Sequence, residues 1–257
     1  MSDLIRIPVL LYHRIDREAK SQYRPFCVDP DAFAQQMAWL AENGFATISL
    51  KQLQDYYQSE GAIPERPIVV TFDDGYLCNY TRAFPILHDK GFFATVFLAT
   101  DLIRNGGRVV ESKDAFLAWD EIKEMHEAGF SFESHGCSHR PLDTLSLLEV
   151  EDELRKSKDA IAARLDKEVD YFCYPFSRYN ETIKRLVQEN AYLGACGGPP
   201  FWQGGPKDWF EIGRTEILWS DSFKQFRFKV QHGLGYYYFA KRQLGKIKKL
   251  AGHDHAQ

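Results

Sequence analysis

The stretch Ile68–Tyr76, IVVTFDDGY, constrains this chain more than any other. Ile68, Val69, Val70 and Thr71 are β-prone and lead through Phe72 into two adjacent carboxylates and a glycine. Bounded by Pro67 and Gly75, the run reads as a strand buried on both faces. Such strands present their functional residues where the chain emerges, at the carboxyl end. Asp73 and Asp74 stand there. Two neighbouring carboxylates repel each other and lose solvation, so a cation, a metal ion or a shared proton must offset the cost. A solvated Asp-Asp-Gly turn is the plainer alternative, but a turn does not need a buried strand aimed at it.

The rest of the chain alternates strand and helix signals. Ile5–Leu11 reads as a strand that delivers Tyr12 and His13 to its end. Asp29-Pro30 opens a helix with an N-cap and a proline in the first turn, and Gly44 stops it. Phe45–Ile48 is a short strand, and Ser49 with Gln52 forms a capping box for the next helix. Helices are expected over Tyr80–Lys90, Trp119–Ala128 and Glu181–Glu189. A longer one opens at the capping box of Ser146 and Glu149. Strands are expected at Phe92–Ala99, Phe130–Glu133, Tyr171–Tyr174, Tyr192–Cys196 and Phe210–Leu218. This pattern implies a parallel sheet covered by helices, as an α/β barrel or an open doubly wound sheet. Every chemically interesting residue follows a strand, which favours the barrel.

With 257 residues there is room for one large α/β domain or two small ones, and no linker, repeat or low-complexity tract divides the chain. The net charge of −4 argues against general nucleic-acid binding. The charge is uneven: residues 221–257 carry eight Lys/Arg against Asp221 and Asp254, which leaves −10 for residues 1–220. We therefore expect a barrel over 1–220 and a basic, aromatic C-terminal helix and tail over 221–257. That tail is read as docked on the barrel by its aromatics, with an amphipathic helix on an anionic membrane surface as the alternative. Five cysteines, an odd number without CxxC spacing, fit a reduced compartment. The N-terminus lacks the pattern of a signal peptide, and no stretch is apolar over a membrane's thickness. The expectation is a cytoplasmic protein, or one at the inner face of the membrane.

His135 and His139 lie in SHGCSH, with Gly136 between them and Pro141 following, so they belong to a turn rather than a helix. The glutamate of the zinc-protease HExxH motif is missing. Two imidazoles and one carboxylate still make a three-ligand centre with positions open to water and substrate. There is no Gly-rich phosphate loop after a strand, so a nucleotide site is not indicated.

TFDDGY at 71–76 followed by SHGCSH at 134–139 resembles the first two motifs of the polysaccharide deacetylases, the NodB-homology or carbohydrate esterase family four group, and YPFSRYN at 174–180 resembles the third. The resemblance implies a distorted (β/α) barrel and metal-dependent removal of acetyl groups from an N-acetylated sugar in a glycan or glycolipid. It makes Asp74, His135 and His139 the metal ligands, with one divalent ion, zinc before cobalt or nickel. It also makes Asp73 the base and the Phe176 N–H the oxyanion donor. PVLLYHRI resembles the first strand of a circularly permuted branch, which puts His13 at the general-acid position; a histidine that only packs there is the alternative.

The sequence departs from the family pattern in three places. Gly136 stands where a Ser or Thr is usual. Cys173 stands at about the place of the arginine that orients the base, leaving Arg178 or Arg214 to supply that cation. Ser177 replaces a common glycine. Tyr76, Pro175, Trp202 and Trp209 are candidate substrate contacts, the tryptophans as sugar platforms or as plain structural residues of the loop 197–210. Two rival readings use the same residues: hydrolysis of a non-sugar C–N amide, and a glycan-binding barrel without turnover.

Overall fold

The computed structural model describes residues 5–17, 24–58, 61–106, 114–198 and 205–233. Trp202 and the tail beyond residue 233, on which some expectations fall, lie outside them. The strands are β1 (Val9–Tyr12), β2 (Arg14–Ile15), β3 (Cys27–Val28), β4 (Ala46–Thr47), β5 (Pro67–Phe72), β6 (Thr95–Leu98), β7 (Ser131–Ser134), β8 (Tyr171–Cys173), β9 (Gly194–Gly198), β10 (Ile212–Gly213) and β11 (Thr215–Glu216). The helices are α1 (Pro30–Glu42), α2 (Leu50–Tyr57), α3 (Phe84–Asp89), α4 (Trp119–Glu127), α5 (Leu147–Leu165), α6 (Glu181–Glu189) and α7 (223–233).

The main sheet is parallel throughout, in the order β10-β9-β8-β7-β6-β5-β1-β11, with β4 beside the start of β5. Its two ends are one continuous piece of chain. Ile212 pairs with Cys196 of β9, and Thr215 pairs with Leu10 of β1. The segment 212–216 thus closes the sheet into a barrel. A single strand was expected over Phe210–Leu218; the two halves instead serve different neighbours and part at Arg214.

Side chains alternate across the barrel wall, as the pleat requires. Leu10, Ile68, Val70, Phe72, Val96, Leu98 and Phe132 pack outward against the helices. Val9, Val69, Phe97, Tyr171, Cys173, Cys196 and Ile212 form a separate cluster inside, with Ile7, Ile48 and Leu53. The same alternation, carried past the end of each strand, turns His13, Asp73, His135 and Arg214 inward at the carboxyl end.

The expected caps are present. Asp29 accepts from Asp31 N, and the Ser49–Gln52 and Ser146–Glu149 capping boxes are both formed. The helix expected from Tyr80 instead begins as a π turn, Asn79–Ala83, before α3. Helix α7 docks on α1: Phe226 and Val230 are buried in the outer core, and Trp39 meets Phe223 and Phe226 edge-on at 6.4 and 6.0 Å. Lys229 is buried as well and bonds Asp221 at 2.5 Å and Glu216 O at 2.8 Å. Among the described residues no helix is long and apolar enough to cross a membrane.

Candidate active site

The carboxyl ends of β1, β5, β7, β8 and β11 open into a cleft of about 700 Å³. Asp73, Asp74, His135 and His139 lie on its floor, with His13 and Arg214 beside them. Backbone geometry that side-chain-bearing residues seldom adopt is concentrated here. Of the six non-glycine residues with positive φ among the described residues, Asp74, His139, Phe176 and Ser177 line the cleft, while Asp166 and Ala191 end helices. Such strain persists only where the surroundings over-determine it, and it clusters at functional sites. Gly75, at φ 75°, continues the turn of Asp74; a Cβ there would lie 2.8 Å from Leu98 Cδ2, so only glycine lets the Asp-Asp pair sit this close to the wall.

Asp74 Oδ1 lies 3.4 Å from His135 Nε2 and 3.0 Å from His139 Nε2. The ligand atoms of these three residues all fall within 4.8 Å of one another. His135 Nδ1 lies 2.7 Å from Cys173 O, to which its N–H donates; that orients the ring with Nε2 toward Asp74, the nitrogen a metal ion would take in place of its proton. One carboxylate oxygen and two imidazole nitrogens, with open space on the cleft side, suit a divalent ion of the zinc type. Burial alone would push the Asp74 carboxyl up, but hydrogen bonds from His135 and His139 hold it well below the usual carboxylate range.

Asp73 is outside this set. Arg214 grips it through two parallel bonds, Nη1–Oδ1 and Nη2–Oδ2, both 2.7 Å, with Nη1 also 3.1 Å from Thr71 Oγ1. Both partners are buried, at 4 % and 7 % exposure. Burial would raise the Asp73 pKa; the Arg214 charge beside it outweighs that and holds it below the ordinary value. Of the two expected arginines, then, Arg214 takes the orienting place, whereas Arg178 pairs with Asp143 near the surface at 2.9 Å. Cys173 explains how it fits. Its small side chain leaves the guanidinium room, with Sγ 3.0 Å from Arg214 Nη2 and 3.4 Å from Asp73 Oδ2. Asp73, His135 and Cys173 also converge, but the guanidinium already occupies that side of Asp73 and a second cation has no place there.

The remaining expected residues divide. His13 lines the cleft, and its Nδ1 is buried without a hydrogen-bond partner among the described residues. Tyr76 lines it too, stacked on Phe116 at 4.9 Å and 18°, with the Arg14 guanidinium 4.6 Å from its ring centre. Phe176 lies at the rim, 61 % exposed, its ring 4.7 Å from that of His139. Pro175, next to it in the chain, is buried and is not among the residues lining the cleft. Trp209 is a correction. It sits at the other end of the barrel, packed 6.3 Å from Tyr57 under the inner cluster, and does not reach the cleft. A strand enters the barrel after Trp209, so the residue belongs to the amino-terminal end.

Residues 60–195 match the family model described as polysaccharide deacetylase. The polysaccharide-deacetylase-family protein YxkH of Bacillus subtilis is 29% identical over 187 residues, 73% of this chain and 62% of its own. A poly-β-1,6-N-acetyl-D-glucosamine N-deacetylase of Staphylococcus aureus is 27% identical over 186 residues, 68% of this chain and 62% of its own. The chain thus spans less than two thirds of the length of these curated relatives. Among solved structures, the Streptococcus pyogenes deacetylase PplD in complex with acetate superposes with a TM-score of 0.78 at 25% identity, over 88% of this chain and 99% of that one. With the barrel, the three motifs at its strand tips and the family match over more than half its length, this chain belongs to the polysaccharide deacetylase family.

Proposed function

We propose that this protein is a metal-dependent hydrolase that removes acetyl groups from N-acetylhexosamine units of a glycan, of the poly-N-acetylglucosamine kind named for its Staphylococcus aureus relative. One observation carries the reading: Asp73 is gripped through both oxygens by Arg214, whose charge holds its pKa below the ordinary value, and is adjacent to the Asp74–His135–His139 cluster without belonging to it. A purely structural ion site does not need a second, separately held carboxylate at its edge.

A divalent ion held by Asp74, His135 and His139 would acidify water and polarise the amide carbonyl. Asp73, its position fixed by both bonds to Arg214, takes the proton of the attacking water. The Phe176 N–H is the donor assigned to the carbonyl oxygen as negative charge develops there. His13, which lines the cleft, is the residue assigned to give a proton to the departing amine nitrogen. The stacked Tyr76–Phe116 pair and the exposed Phe176 ring offer flat apolar surfaces to sugar faces.

Acetate release from β-1,6-linked N-acetylglucosamine oligomers by the zinc-loaded protein tests the reading. Asp73→Asn should lower turnover by about 10²–10⁴-fold while zinc binding persists. Release of acetate only from simple non-sugar amides would overturn the substrate class. Near-full turnover in Asp73→Asn would overturn the assignment of the base.

A further inference from the structure

We propose that Glu153 of α5 is a positioning residue for the metal centre, and that Gly136 exists to admit it. The inference rests on the metal-centre reading above. Glu153 is buried, 6 % exposed, and its carboxylate hydrogen-bonds Cys137 and Ser138, which lie between the two histidines. Oε2 accepts the Cys137 N–H at 2.6 Å and the Ser138 N–H at 2.9 Å, and Oε1 accepts the Ser138 hydroxyl.

One turn further along the same helix face, Ser157 Oγ lies 2.7 Å from Ser134 Oγ, which accepts the Gly136 N–H at 3.2 Å. From the other side, Thr100 N donates to Gly136 O and Asp101 N to Cys137 O, at 3.1 and 3.0 Å. All three N–H groups from Gly136 to Ser138 and two of the carbonyls are therefore engaged, and α5 supplies the acceptor for two N–H groups directly. His139 follows at φ 57°, a left-handed conformation that an imidazole-bearing residue keeps only under such restraint. That conformation brings its Nε2 to 3.0 Å from Asp74.

Gly136 fits the same account. It has φ 77°, and a Cβ built on it would lie 2.9 Å from Glu153 Oε2. A serine or threonine there would need the space that the carboxylate fills. In this chain the restraint that a hydroxyl at 136 would give comes instead from a glutamate on the neighbouring helix.

Zinc and cobalt titrations of the purified full chain test this, with the visible spectrum of bound cobalt reporting on ligand geometry and a thermal melt on folding. Glu153→Met keeps the side chain's length and removes its acceptors. It should weaken zinc by about 10–100-fold and alter the cobalt spectrum, as expected when groups that orient metal ligands are lost. Glu153→Gln, which can still accept both N–H bonds through its carbonyl oxygen, should stay within a few-fold of wild type. A glutamate that served only to pack the helix would lower the melting temperature in Glu153→Met and leave the zinc affinity unchanged; that result overturns the proposal. Should Glu153→Met fail to fold, Gly136→Ala carries the test, because its methyl group displaces the same carboxylate. Weakened zinc there supports the proposal, and wild-type affinity overturns it. No tight site in folded wild type would overturn the metal-centre reading itself, an outcome distinct from either.

Discussion

At the scale of the residue, the Asp73–Arg214 pair decides most. Asp73 could be read from the sequence because it stands at the tip of a strand that its own neighbours announce. Arg214 could only be offered beside Arg178: it is 141 positions away, and nothing in EIGRTEI says that its arginine meets Asp73. The pH behaviour follows from the pair. With its folded pKa depressed by Arg214, Asp73 contributes stability that is present above the unfolded value near 3.9 and lost as pH falls through the lower folded value. Arg214→Met reverses the sign. Burial then governs and raises the carboxyl, so stability falls as pH rises from the unfolded value toward the raised one. Denaturant midpoints measured from pH 4 to pH 8 should be flat with respect to this group in wild type and decline in the variant. Near neutral pH, removing one partner of a buried pair should cost about 3–5 kcal/mol. Arg214→Lys, which replaces a two-pronged grip with a point charge, should fold yet lose turnover.

At the scale of the element, capping and periodicity were legible and pairing was not. Ser146 with Glu149 marks the start of α5, and that box is present in the structure. Ser146→Ala should lower stability by about 1 kcal/mol in a urea titration. By contrast, the sequence over Phe210–Leu218 shows one uninterrupted β pattern, because hydrophobic alternation records which face is buried and not which neighbour is bonded. Trp209 was misplaced for a related reason. Aromatics beside glycine and proline suit either mouth of a barrel, and only the direction of the following strand settles which. Glu153 was missed as well, although Gly136 carried a signal: a glycine where a hydroxyl-bearing residue is usual implies that something else fills the space.

At the scale of the whole molecule, the proposed metal centre would link ion binding to folding, since Asp74, His135 and His139 come from the ends of β5 and β7 and are assembled only in the barrel. Zinc at a hundred times its dissociation constant should therefore stabilise the chain by about 2.7 kcal/mol, read as a shift of the denaturant midpoint. His139→Ala should remove that shift. The closing segment has a further consequence. The stretch that matches the family model ends at residue 195, yet the guanidinium that arms Asp73 arrives only when 212–216 completes the ring. A nascent or proteolytically shortened chain that lacks 212–216 can carry every recognisable motif and still leave Asp73, the proposed base, without the guanidinium that holds it. On the proposed mechanism, completion of the ring would then act as a safety catch, released only once Arg214 is in place.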